Sequence, residues 1–177
     1  MNGAQLHTIS PLFSEELGII NAVIETPSGS QNKYDYDQVS GLFMLDRPIH
    51  SSLRYPCDYG FIPNTLAKDG DPVDVVLMIN QPTYPGCLVR ARVVGVMIME
   101  DEAGRDEKVL SVADRDPRLS HVVDIKDVPP NYLKELEHFF IHIKDLEPDK
   151  WAKVEGFHDK AKGISVVKEG IRNGRRE

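Results

Sequence analysis

Short stretches of strand-forming residues recur over the first hundred positions: Ile19 to Ile24, Lys33 to Asp37, Gly41 to Leu45, Val73 to Ile79 and Leu88 to Met99. Turn-forming residues part them. The stretches read as short strands, and the one from Leu88 alternates with the period of a strand that buries one face. In the last stretch Arg90 and Arg92 interleave with Val89, Ala91 and Val93, which reads as a solvated strand face. The period changes after Pro130. Leu133, Leu136, Phe140 and Ile143 recur at three- and four-residue steps, predicting an amphipathic helix over 131–147 entered through Pro129-Pro130. Ala161, Ile164, Val167 and Ile171 predict a second helix. Residues 1–18 read as an N-terminal arm and 168–177 as a charged, solvated tail. Many short strands followed by two helices predict an α+β fold, a small barrel or curled sheet with helices outside it.

With 177 residues, 41% of them hydrophobic, the chain is long enough for one domain burying roughly 70% of its unfolded surface. A net charge of −7 opposes general binding to nucleic acid or an anionic membrane, so any polyanion site must be locally basic or bridged by metal. Cys57 and Cys87 form no CxxC pair and predict a reducing, cytoplasmic setting rather than a disulfide scaffold. Met1 to Phe13 lack the pattern of a secretion signal, and no apolar run is long enough to span a membrane.

Asp69-Gly70-Asp71-Pro72-Val73-Asp74 is the strongest local signal, three carboxylates on a bend made by glycine and proline. Two ionised carboxylates at roughly 4 Å repel by about 4 kcal/mol at an effective dielectric near 20, so the segment needs positive charge. Oxygen ligands without histidine or thiol favour Mg²⁺ or Mn²⁺ over zinc. An EF-hand is excluded, because its sixth and twelfth positions fall on Asp74 and Asn80 in place of glycine and glutamate. Alone, the motif would be an acidic surface turn. A second acidic cluster surrounds Ala103-Gly104-Arg105 at an apparent hairpin tip, and there Asp101 and Asp106 are candidates to complete a cation site if the two bends converge.

Lys33, Arg47, Lys108 and Lys144 are scattered among the same elements. Singly each is an ordinary surface charge; together with the carboxylates they offer the clamp that phosphoryl transfer requires. Tyr55 and Tyr59 flank Cys57, and either hydroxyl is able to donate to a phosphate, although half-buried structural tyrosines are commoner. Cys57 has no adjacent histidine and reads as core. His138 and His142 share a helix face but lack the HExxH pattern, and read as surface or subunit-contact residues.

Taken in order, VIET, NKYD, LDRP, YPCDYGFIPNT, DGDPVDV, EDEAGRDEK and HFFIHIKDLE resemble the family I soluble inorganic pyrophosphatases from about Val23 to Lys153. The resemblance implies a five-stranded OB-like β-barrel with flanking α-helices, several Mg²⁺ ions, and hydrolysis of inorganic diphosphate to two orthophosphates by direct attack of a hydroxide bridging two ions. It also implies a homo-oligomer, a homohexamer in bacterial members, with His138 and His142 at an interface. Carried over by residue, Asp69, Asp74, Asp101 and Asp106 would bind metal and Asp71 would be the general base. Lys33, Arg47, Tyr59 and Lys144 would bind substrate phosphate, with Glu25, Asp35, Tyr55 and Lys108 in support.

Two positions depart from the family pattern. Asp35 stands where glutamate is usual, and Ile143 where the family places a phosphate-binding tyrosine. A hydrogen bond to a charged group is worth roughly 1.5 to 3 kcal/mol, so the lost hydroxyl implies attenuation rather than abolition of activity. A nucleoside or organic diphosphate as substrate, or a non-catalytic phosphate-binding module, are the alternatives. The glutamate-rich Nudix helix signature is absent from the sequence.

Overall fold

The computed structural model describes Leu6 and residues 9–175. Its elements are β1 (Leu12–Ser14), β2 (Ile19–Thr26), β3 (Asn32–Asp37), β4 (Leu42–Pro48), β5 (Asp58–Phe61), β6 (Asp74–Met78), β7 (Leu88–Asp101), β8 (Gly104–Ala113), α1 (Pro130–His142), β9 (Ala152–His158) and α2 (Lys160–Gly174). The main sheet runs β1-β2-β5-β6-β8-β7-β9, and β2 also pairs with β7, so β2, β5, β6, β8 and β7 close into a ring. All neighbours in that ring are antiparallel except β6 and β8. Strands β3 and β4 form a separate hairpin.

Closure requires one strand to serve several partners. β7 pairs with β2 through Leu88 to Arg92, with β8 along most of its length and with β9 through Val96 to Asp101. A register shift between Val93 and Gly95 bends it. β6 is buried on both faces: Val75 and Leu77 join a cluster with Val166, Val167 and Ile171 of α2, whereas Val76 and Met78 pack with Leu136, Phe139 and Phe140 of α1. This double burial explains its unbroken apolar run.

α1 begins at Pro130, whose missing N–H costs nothing in a first turn. In α2, Asp159 caps the start by accepting from the N–H of Lys162 at 2.9 Å. α2 crosses β7 so closely that a Cβ on Gly163 would stand 2.5 Å from the carbonyl oxygen of Gly95. Alanine normally gains about 1 kcal/mol over glycine within a helix. Here the backbone it meets cannot step aside, so Gly163→Ala is expected to destabilise the protein by about 1–3 kcal/mol. A thermal melt of the variant checks this; an unchanged or raised Tm contradicts it.

Several sequence expectations change. Leu12 to Ser14, assigned to an arm, form an edge strand on β2, while residues 1–5, 7 and 8 lie outside the described residues. Residues 168–174 of the expected tail are the last turns of α2, and Arg176 and Glu177 lie outside the described residues. The first helix ends at His142 rather than 147, because Ile143 to Lys150 fold into successive turns. Lys144 therefore sits just beyond the helix. Arg92 is not solvated: it donates to Asp114 at 2.9 Å and to the carbonyls of Leu119 and Val122 at 3.0 and 3.2 Å. No helix among the described residues is long and apolar enough to cross a membrane.

Candidate active site

The DGDPVD bend is set by local chemistry. Gly70 takes φ +93°, a left-handed conformation that favours glycine, and the N–H of Asp71 donates to Asp69 Oδ1 at 3.1 Å. Buried Val73 then anchors the bend, its N–H donating to Thr65 Oγ1 at 2.9 Å, and Asp74 opens β6. The second acidic bend is the β7–β8 hairpin tip, where Gly104 has φ +121° and Asp101 accepts from the N–H of Ala103 at 2.8 Å.

Register brings the two bends together. β6 pairs in parallel with β8, Val75 against Val109, which puts Asp74 beside Lys108. Asp106 and Lys108, two apart on β8, share a face. The Lys108 Nζ donates to Asp74 at 2.6 Å, Asp106 at 2.8 Å and the Tyr59 hydroxyl at 2.9 Å. Its three protons are thus matched to three acceptors on three strands. Tyr59 in turn donates to Asp74. Burial alone would lower the Lys108 pKa, but Asp74 and then Asp106 outweigh it and hold the ammonium well above its ordinary value. Asp106 is pushed up by burial, which Lys108 partly offsets. The ammonium is thus the shared counter-charge of Asp74 and Asp106.

These side chains line one cavity of about 670 Å³. Every residue given a metal, base, substrate or supporting role from the sequence is on its wall: Glu25, Lys33, Asp35, Arg47, Tyr55, Tyr59, Asp69, Asp71, Asp74, Asp101, Asp106, Lys108 and Lys144. Lys33 reaches it from β3, bonded to Asp35 at 2.8 Å and Asp46 at 3.3 Å. Arg47 follows from the paired position on β4, bonded to Asp46 and, through Nε at 3.1 Å, to Glu147. Lys144 bonds Asp101 at 2.7 Å and Glu102 at 3.1 Å. Glu25 is pushed up to about 8, chiefly by burial, against the N–H that Tyr36 donates to it and with Asp35 and Asp74 adding to the rise. Asp71 is raised by burial first and then by Asp69, Asp74 and Asp35.

The sequence reading missed Glu147 and Lys150, which also line the cavity, and took Glu102 only as part of a charged tip. Glu102 binds both Lys144 and Lys150, the latter at 2.7 Å. No local signal marks Glu147, because its partner Arg47 is 100 positions away. Other expectations fall outside the cavity. Cys57 is buried, and burial pushes its thiol up, away from nucleophilic character. His138 and His142 lie on α1 with ring centroids 4.5 Å apart and planes tilted by 52°, and His142 is bonded to Asp145 at 2.7 Å.

The lining carries nine carboxylates against five cations, with no histidine or cysteine. Among the described residues no three acidic, histidine or cysteine side chains converge on one point. The acids face ammonium and guanidinium groups instead. An all-oxygen donor set with surplus negative charge nevertheless suits a hard divalent cation, and an anionic ligand would be repelled without one.

The family model for inorganic pyrophosphatase matches residues 22–175. The chain belongs to the inorganic pyrophosphatase family. It is 46% identical over 153 residues to the inorganic pyrophosphatase of Leifsonia xyli, covering 86% of this chain and 94% of that one. The crystal structure of inorganic pyrophosphatase from Thermus thermophilus superposes with a TM-score of 0.93 at 43% identity, covering 97% of this chain and 99% of that one. The enzyme from Helicobacter pylori gives 0.89 at 42% identity, covering 92% and 96%. Within this inorganic pyrophosphatase scaffold Ile143 is buried at the cavity wall beside Phe140, directly before Lys144.

Proposed function

We propose that the chain hydrolyses inorganic diphosphate to two orthophosphates with several Mg²⁺ ions, for which Mn²⁺ can substitute, on an OB-type barrel acting as a single domain. The observation that carries this reading is the cavity in which both acidic bends and the scattered cations meet. Asp69, Asp74, Asp101 and Asp106 would hold the ions. When bound, Mg²⁺ supplies a lowered pKa for water and neutralises phosphate charge. Asp71 takes the proton of the attacking water, a task suited to a carboxylate on the same bend as Asp69 and Asp74 and on the wall of the same cavity. Lys33, Arg47, Lys144 and the Tyr59 hydroxyl bind the phosphate oxygens, and direct attack leaves no covalent enzyme intermediate. Glu25, Asp35, Tyr55 and Lys108 support this set. A cytoplasmic homo-oligomer, a homohexamer with His138 and His142 at a contact, completes the reading.

Phosphate release from Mg²⁺ and diphosphate tests it, with Asp71→Asn as control. Turnover well above the control is expected, and chelation should abolish it. No release above the control overturns the assignment.

Ile143 makes a further prediction. Its side chain is apolar where a hydroxyl would meet phosphate, and the neighbouring cavity has space for one. Ile143→Tyr is therefore expected to raise kcat/KM for diphosphate by about tenfold, the lower end of the value of a charge-assisted hydrogen bond. Unchanged kinetics would mean that another group already supplies that contact.

A further inference from the structure

The β3–β4 hairpin carries Lys33 and Arg47 side by side, yet it has no ladder to the main sheet. Its inner edge is tied to β2, where the Tyr34 N–H donates to Thr26 Oγ1 at 3.0 Å and the Tyr36 N–H to Glu25 at 2.8 Å. Across the cavity the tie is the bond from Arg47 Nε to Glu147. The Glu147 side chain is only 10% exposed, unlike an ordinary surface partner. Its mount is firm. The Glu147 N–H donates to the Lys144 carbonyl at 2.8 Å, and the segment is pinned to the β7–β8 tip by Lys144 and Lys150, both bonded to Glu102.

We propose that Glu147 is a positioning residue that sets the guanidinium plane of Arg47 for phosphate binding, a role that rests on reading Arg47 as a diphosphate ligand. An arginine side chain has several rotatable bonds, and ordering them before substrate arrives removes that cost from binding. Glu147 holds Nε while Asp46 holds Nη1, and Nη2 makes no hydrogen bond to a described residue. The planar group is thereby fixed with donor capacity left over. Glu147 touches neither the acidic bends nor Asp71 through any hydrogen bond or ion pair, so its effect should appear in binding rather than in chemistry.

Steady-state kinetics of a double-mutant cycle test this. Glu147→Ala is expected to raise KM for diphosphate about tenfold with kcat within about threefold, and Glu147→Gln, which keeps an oxygen acceptor, to raise it about two- to fourfold. Arg47→Ala should raise KM more, and adding Glu147→Ala to it should change nothing further, a non-additivity that a merely structural role would not produce. With a strong Arg47→Ala effect, an unchanged or lowered KM in Glu147→Ala overturns the proposal, as does multiplication of the two effects. If Arg47→Ala itself keeps the wild-type KM, Arg47 is not a diphosphate ligand, and the proposal falls with that reading.

Discussion

Replacing Lys108 with methionine is expected to lower the stability of the metal-free protein by about 3 kcal/mol, and Mg²⁺ should return most of the loss. Lys108 Nζ lies within 2.8 Å of both Asp74 and Asp106 and is almost wholly buried. Two carboxylates about 5 Å apart repel by about 3 kcal/mol at an effective dielectric near 20, and methionine supplies bulk but no charge. The two acids are about a quarter and a fifth exposed, which keeps the loss at the low end for a broken buried pair.

The pH dependence of this loss has a definite sign. Without the ammonium, at least one of the two carboxyls must have a folded pKa above its unfolded value, so the folded state holds an extra proton in between. The deficit therefore grows as pH rises from the unfolded carboxyl pKa near 4 towards the raised folded one. Thermal melts with and without Mg²⁺ check the expectation: a fall in Tm of about 6–12 °C without metal and a larger metal-induced rise than in the parent. Equal melting temperatures without metal would mean that Lys108 is not the counter-charge of the cage.

Asp71→Asn should lower kcat by about 10²- to 10⁴-fold, the usual contribution of a general base. The amide keeps the size of the side chain and cannot accept a proton at that position. The backbone turn is held by the Asp71 N–H donating to Asp69 and by the Ala67 N–H donating to the Asp71 carbonyl at 2.7 Å, neither of which involves the Asp71 carboxylate. KM should accordingly change little. The acid limb of the parent kcat profile that reports the general base should vanish in the variant. A variant within threefold of the parent would remove Asp71 from the reaction.

How far these roles are legible without coordinates depends on the range of the interaction. Gly70, Pro72 and the aspartates around them announce their own bend, since an Asp-Gly turn is a contact between residues two apart. The apolar runs of Ile19 to Ile24 and Leu88 to Met99 likewise mark strands by composition, although the fold buries both faces over most of each rather than one. β5 escapes the same reading. It is four residues long with glycine inside, and that glycine is needed because a Cβ would collide with the carbonyl of Val23 on β2, a neighbour known only after folding. β8 is hidden for a different reason: its first half, Gly104 to Lys108, carries four successive charges, of which Asp106 and Lys108 face the cavity while Arg105 faces solvent.

The sequence by itself determined the chemistry of the site, the two acidic bends and the residue types that line the cavity, for these depend on side-chain identity and on turns closed within a few positions. The tertiary structure decided that β2 meets β7 to close the ring, that Lys108 is shared by Asp74 and Asp106, that half-buried Arg92 bonds to carbonyls and that Glu147 reaches Arg47. Each of those pairings joins residues by strand register or by packing across the fold, and the free energy that selects them comes from burying whole faces together, which no local pattern encodes.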